Sequence, residues 1–126
     1  MIPGELRYTA EHEWVRLNDD GTATFGITHH AQDALGDIVY VSIPKAGEKL
    51  TAGSPCGEVE STKSVSDIYA PISGVVIESN AALDAHPETI NADPYGAGWM
   101  ITMQADSAAD IDGLLGATEY EALTRA

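Results

Sequence analysis

Lys63 is the residue whose type and setting could do chemistry. It is the only lysine or arginine between Lys49 and Arg125, and Glu58, Glu60 and Asp67 surround it in the chain. It sits within Ser61-Thr62-Lys63-Ser64, between two β-patterned runs, Cys56 to Glu60 and Val65 to Tyr69. A four-residue connection between short strands predicts a hairpin loop, with Lys63 at its exposed tip. A tight turn holds the amine clear of the fold, where a modifying enzyme can reach it. The ordinary alternative is a solubilising surface charge.

Other reactive side chains form no comparable setting. His29 and His30 are adjacent, so on a helix they point about 100° apart and cannot share one metal. His12 and His86 stand alone in sequence, and no Cys or His pair completes a zinc spacing. All four read as surface or helix-packing histidines. Cys56 is the only cysteine; without a histidine brought to it in space it reads as a small core residue. Gly96 and Gly98 lack the third glycine and following helix of a phosphate loop.

The hairpin needs a frame, and the pattern supplies a mainly β one. Trp14 to Leu17 and Thr22 to Ile27 read as strands joined by the turn formers Asn18-Asp19-Asp20-Gly21. Ala23, Phe25 and Ile27 alternate with Thr22, Thr24 and Gly26, which predicts burial on one face. Thr28 to Leu35 predicts a short helix, capped by Thr28 and ended by Gly36. Ile38 to Ile43 is β-branched and aromatic and stops before Pro44. Pro71-Ile72-Ser73-Gly74 predicts a turn, Val75 to Glu78 a strand, and Trp99 to Met103 the last strand.

Asn80 to Asn91 is looser, with at most a helical turn near Pro87. Ser107-Ala108-Ala109-Asp110 and Thr118-Glu119-Tyr120-Glu121 resemble capping boxes. With Ile111, Leu114, Leu115 and Leu123 they predict C-terminal helical turns packed on the β core. Short strands at close spacing point to a sandwich or barrel.

The chain has 126 residues, expected to form a single domain over 1–126. Twenty acidic against six basic residues give a net charge of −14. That composition argues against nucleic acid and against an anionic membrane surface, and favours proteins with basic patches. Charge-free stretches such as Pro94 to Ala105 reach only 12 residues, against the roughly 20 a membrane span needs. The first residues lack the basic and apolar regions of a secretory signal. The expectation is a cytoplasmic protein and a monomer.

The segment Glu58 to Asp67, and within it Glu60-Ser61-Thr62-Lys63-Ser64, resembles the lipoylation site of the glycine cleavage system H proteins. Ile68-Tyr69-Ala70-Pro71-Ile72-Ser73-Gly74 resembles the segment after that lysine, and His12-Glu13-Trp14-Val15 the N-terminal signature. Gly26-Ile27-Thr28, Ala31-Gln32, Leu35-Gly36-Asp37, Pro94-Tyr95-Gly96, Gly98-Trp99-Met100 and Glu119-Tyr120 extend the likeness from about Tyr8 to Leu123. Two departures are Thr62, where the family commonly has Val, and His29, where an acid is frequent.

The resemblance implies a barrel-sandwich hybrid of the lipoyl/biotinyl type with short flanking helices. It implies a non-catalytic carrier with lipoate bound covalently to Lys63. Such a carrier takes an aminomethyl group from the P-protein, a pyridoxal-phosphate glycine decarboxylase. It delivers that group to the T-protein, a tetrahydrofolate-dependent aminomethyltransferase, and is reoxidised by the L-protein, dihydrolipoyl dehydrogenase. A lipoate ligase or lipoyltransferase would load it. Lipoyl acceptors resemble one another in a Glu three before and a Gly eleven after the lysine, which assigns ligase recognition to Glu60 and Gly74. Glu13 and Asp67 become candidates to meet the amine of the loaded arm.

A biotin carrier uses a similar hairpin but usually flanks its lysine with Met, where this chain has Thr62 and Ser64. Lipoyl domains of 2-oxo-acid dehydrogenases usually read Asp-Lys-Ala within a longer chain. A lipoyl relay that hands its cofactor to other proteins is compatible with the same sequence. An enzyme in its own right would need a convergent nucleophile and base, which the sequence does not display.

Overall fold

The computed structural model describes residues 2–124, so Arg125 lies outside it. In chain order the strands are β1 (Arg7–Tyr8), β2 (Glu13–Leu17), β3 (Ala23–Ile27), β4 (Ile38–Ser42), β5 (Lys49–Leu50), β6 (Pro55–Ser61), β7 (Val65–Tyr69), β8 (Gly74–Ser79) and β9 (Ile101–Ala105). The helices are α1 (His29–Leu35), α2 (Ala82–Ala85), α3 (Thr89–Ala92), α4 (Ala109–Asp112) and α5 (Ala117–Thr124). One antiparallel sheet has the order β1-β2-β3-β9-β8-β5 and the other β4-β6-β7. Val15, Phe25 and Met103 from the first join Val41, Val59 and Ile68 from the second in one buried cluster. This is the expected mainly β, barrel-sandwich architecture with short helices.

The clearest local signals hold. Thr28 caps α1 by accepting the Ala31 N–H at 3.2 Å, and Gly36 closes it at φ +84°, a conformation open to glycine. The strands around Ser61 to Ser64 pair as an antiparallel hairpin with Glu60 opposite Val65.

Several expectations need correction. β3 is buried along its whole length and not on one face. On its polar side the Asn18 Nδ2 donates to Thr24 Oγ1 at 2.9 Å, and the Thr24 and Thr102 hydroxyls pair at 2.8 Å. At Gly26 the Trp14 indole packs where a Cβ would stand, 3.1 Å from the nearest ring atoms. The last strand begins at Ile101, because Trp99 is held in a turn by its N–H to Gly96 O; Met100 N–H bonds to Phe25 O of β3 just ahead of the strand. Two helical turns, α2 and α3, fill the stretch expected to hold at most one, and they bury Leu83 and Ile90.

The C-terminal caps also differ. Ser107 does not cap α4, whose N-cap is Ala108 with no side-chain bond. Thr118 lies inside α5, and Glu119 reaches back to the Gly116 N–H at 2.6 Å. The reciprocal half of a capping box is thus present two residues earlier, with glycine in the cap position. Leu123 is exposed; Tyr120 is the buried anchor, stacked on Tyr8 with ring centroids 4.7 Å apart.

Gly74 shows what close strand packing demands. A Cβ there would stand 2.2 Å from the Gln104 carbonyl oxygen and 3.0 Å from Ala105 Cα. Both are backbone atoms of β9 and cannot yield without disturbing the β8–β9 ladder. Gly74→Ala is expected to destabilise the fold by about 1–3 kcal/mol, the usual range for overpacking. A shift of the urea midpoint at unchanged m-value checks this.

Candidate functional site: a braced lysine hairpin and a buried carboxylate

Ser61 organises the hairpin tip. Its N–H donates to Ser64 O at 2.8 Å, and its Oγ accepts the N–H groups of Lys63 and Ser64, each at 3.1 Å. The Ser61 side chain is buried, although the loop that it braces is exposed. Outside the hairpin, Thr62 N–H donates to Asp37 O at 3.0 Å. The tip therefore has fixed backbone partners on both sides of the lysine. Ser61→Ala is expected to cost about 1 kcal/mol and to speed hydrogen exchange at the Lys63 and Ser64 amides, read by NMR.

The Lys63 side chain is exposed, and its ammonium makes no ion pair or hydrogen bond among the described residues. Glu60 precedes it by three residues in the hairpin and makes no hydrogen bond or ion pair with it. In register Glu60 lies between Tyr40 and Val65, both 58% exposed, so this row faces outward. Asp67, also exposed, lies in the neighbouring row with Glu58 and Ser42. Gly74 belongs to the other sheet and is not brought to the hairpin; its observed part is the close strand approach described above.

Glu13 is not a surface acid. It is only 2% exposed, and its carboxylate accepts the Thr9 hydroxyl at 3.0 Å and the Tyr69 N–H at 2.9 Å. That second bond ties β2 to the end of β7. Burial pushes its carboxyl up to about 7, against the lowering effect of the two hydrogen bonds. The carboxyl lines a cleft of about 330 Å³ whose other walls include Thr9, Tyr69, Pro71, Leu114 and Leu115. Asp67 and Tyr69 are two apart on β7 and share a strand face. A cleft with largely apolar walls and the acidic residues Glu11 and Glu13 in its lining suits a small cation with a hydrocarbon stem.

Thr9 and Tyr69, which hold Glu13, were not legible as site residues. Glu13 sits just before the Trp14 strand pattern, and its burial depends on β7 docking across from it.

The remaining reactive side chains have structural surroundings. Cys56 is half-buried against the main core, and its thiol is pushed up to about 12 by burial and by the charge of Glu13. Such a thiol is not a thiolate nucleophile at neutral pH. His12, solitary in sequence, packs its ring 4.5 Å from that of His30 and shares a 2.8 Å hydrogen bond with the Tyr120 hydroxyl. Burial and His30 both lower its pKa. Among the described residues no group of three or more His, Cys, Asp or Glu is placed to hold a metal ion. No helix among them is long and apolar enough to cross a membrane.

Known proteins match this arrangement over nearly its whole length. The family model for the glycine cleavage H-protein matches residues 6–126. A glycine cleavage system H protein of Psychrobacter sp. (strain PRwf-1) is 54% identical over 121 residues, covering 96% of this chain and 96% of that one. One from Neisseria meningitidis serogroup C is 56% identical over 119 residues, covering 94% of this chain and 93% of its own length. The crystal structure of a glycine cleavage system H protein from Mycobacterium marinum superimposes with a TM-score of 0.91 at 46% identity, covering 99% of this chain and 100% of that one. With the fold shared at such identity and coverage, the chain belongs to the glycine cleavage H-protein family.

Proposed function

We propose that this chain is the lipoyl carrier of the glycine cleavage system, with lipoate joined as an amide to Lys63. The observation that carries the reading is the Lys63 amine, displayed on a braced tip and uncommitted to any carboxylate among the described residues, in a chain of net charge −14. The residues fit such a group: Nζ is exposed, and acylating it breaks no ion pair among the described residues. When bound, lipoate supplies a reversible dithiol on a long tether, which no amino-acid side chain offers. The carried unit is the aminomethyl group of glycine, received from the P-protein and passed to the T-protein, with reoxidation by the L-protein. The chain itself acts without catalysing a step, as one domain, a monomer and a cytoplasmic protein.

The chain's own residues do the presenting. Ser61 and Asp37 fix the tip, so a partner does not have to order a loose loop on docking. The acidic surface favours encounter with basic entrances on the partners. Glu60, one strand position from the tip, is the side chain a lipoate ligase would read. Gly74 serves the same recognition only by letting β8 lie close to β9.

Glu13 and Asp67 would meet the amine of the loaded arm. Asp67 lies four residues from Lys63, at most roughly 13 Å at strand rise, within the roughly 14 Å that bond lengths give the arm. The cleft at Tyr69 and Glu13 begins two residues beyond it. An ammonium brought there favours the ionised form of Glu13.

The test is the intact mass of the protein from its own cells, with peptide mapping across Ser61 to Ser64. One lipoyl-amide increment on Lys63 is expected. A biotinyl increment would move the chain to a carboxylase carrier, and no modification with lipoate present would return Lys63 to an ordinary surface lysine.

A further inference from the structure

We propose that Gly36, Asp37 and Asn91 form a seat for Lys63, acting as positioning residues for its acylation. The inference rests on the carrier reading above and adds residues outside the hairpin to it. Three observations converge on the turn between α1 and β4.

The outer stem of Lys63 lies over the Gly36 α-carbon. A Cβ built on Gly36 would stand 3.1 Å from Lys63 Cε, 3.8 Å from Nζ and 3.9 Å from Cδ. Gly36 also holds φ +84° and ψ −156°, a region that is essentially glycine's alone. The residue that ends the helix thus leaves the space that the lysine stem occupies.

Asp37 ties the tip to the same turn. Its carbonyl accepts the N–H of Thr62, the residue just before the lysine, at 3.0 Å.

Asn91, from α3, then fixes the turn from behind. Its Nδ2 donates to Gly36 O at 2.8 Å and to Gln32 Oε1 at 2.9 Å, while its Oδ1 accepts the Ile38 N–H at 2.9 Å. One side chain therefore grips the backbone on both sides of Asp37.

The consequence follows from lysine's flexibility. A free four-carbon stem samples many rotamers, and an enzyme that needs one of them must select it. A seat that already restricts Cδ and Cε presents Nζ at a defined place. In the acylation itself, Nζ as the free amine forms a bond to the carbonyl carbon of an activated acyl donor, an acyl-phosphate anhydride or a thioester. The bond from that carbon to its leaving group breaks with its electron pair, and the surplus amine proton passes to water. Gly36, Asp37 and Asn91 touch none of these atoms except through Lys63.

The experiment compares the apo-protein with Asn91→Ala and Gly36→Ala, using a lipoate ligase supplied with lipoate and ATP. Each variant is expected to lose about five- to tenfold in ligase kcat/KM, the penalty for immobilising one flexible side chain. Acylation of Lys63 by a small activated ester, which needs no defined pose, should stay at the parental rate or rise. Thr62 amide exchange should quicken in both variants. Folded variants lipoylated at the parental kcat/KM would overturn the seat while leaving the carrier reading intact. Parent protein that takes no lipoyl group on Lys63 would overturn both.

A measurement on the parent chain covers the case in which the variants fail to fold. The NMR order parameter of the Lys63 Cε methylene is expected to exceed those of Lys45 and Lys49. Equal mobility at all three sites would overturn the proposal.

Discussion

Replacing Lys63 by arginine is expected to abolish lipoylation and with it all glycine-dependent turnover in a reconstituted system, while leaving the fold unchanged. Arginine keeps the positive charge and a long apolar stem, so the exposed tip loses little; surface changes of this kind stay within about 0.5 kcal/mol. What it removes is the nucleophile, because a guanidinium stays protonated at every relevant pH. The same exchange at Lys45 or Lys49, on the segment leading into and forming β5, should leave both lipoylation and turnover at the parental level. Intact-mass analysis with peptide mapping reads the first effect, and glycine-dependent release of carbon dioxide the second. A lipoyl increment persisting in Lys63→Arg would place the acceptor elsewhere and remove the hairpin from the function.

The contrast between Lys63 and its surroundings marks what the sequence could disclose. Local rules were enough for α1, where a capping hydroxyl at Thr28 and a glycine at Gly36 bracket seven residues. They were enough for the hairpin as well, since two β-patterned runs around four loop residues leave little freedom. They failed where an element is too short to show a period. β1 and β5 have two residues each, and their existence is set by the strands that they pair with, β2 and β8.

They failed also where a residue's role comes from distant chain. Asn91 is one polar residue in a loose stretch, yet it holds the turn at Gly36 from 55 residues away. The cleft draws its walls from near Tyr8, Gly53, Tyr69 and Leu114, four segments that no spacing rule connects. The resemblance named Glu13 as a site residue, but only the folded chain shows that it is buried and held by Thr9 and Tyr69. Charged residues are rarely so enclosed, and such a carboxyl must lower stability whenever it ionises.

That cost gives the second large expectation, for Glu13→Gln. The folded-state pKa of Glu13 is raised from 4.5 to about 7, so between these values the folded protein binds the proton more tightly than the unfolded chain. Stability from this group is therefore fully present below the unfolded value and is lost as pH rises through about 7. The full loss is about 3 kcal/mol, because each tenfold difference in proton affinity between the two states is worth about 1.4 kcal/mol. Glutamine cannot ionise, yet it offers an oxygen to the Tyr69 N–H and an amide to the Thr9 hydroxyl. The variant and the parent should melt at similar temperatures near pH 5. By pH 8 the variant should melt about 10 °C higher, given a few degrees per kcal/mol for a domain of this size.

A stability difference that stays constant from pH 5 to pH 8 would mean that Glu13 does not titrate in this window. The gain in stability should carry a functional loss. With Asp67→Asn added, the aminomethyl-loaded protein would lack both carboxylates proposed to meet its amine. Its hydrolysis should then quicken about tenfold or more, the scale of one charge-assisted hydrogen bond. An unchanged hydrolysis rate in the double variant would remove Glu13 and Asp67 from the carrier's work. The melting difference would stand regardless, because it depends only on a carboxyl enclosed by Thr9, Tyr69 and the walls of the cleft.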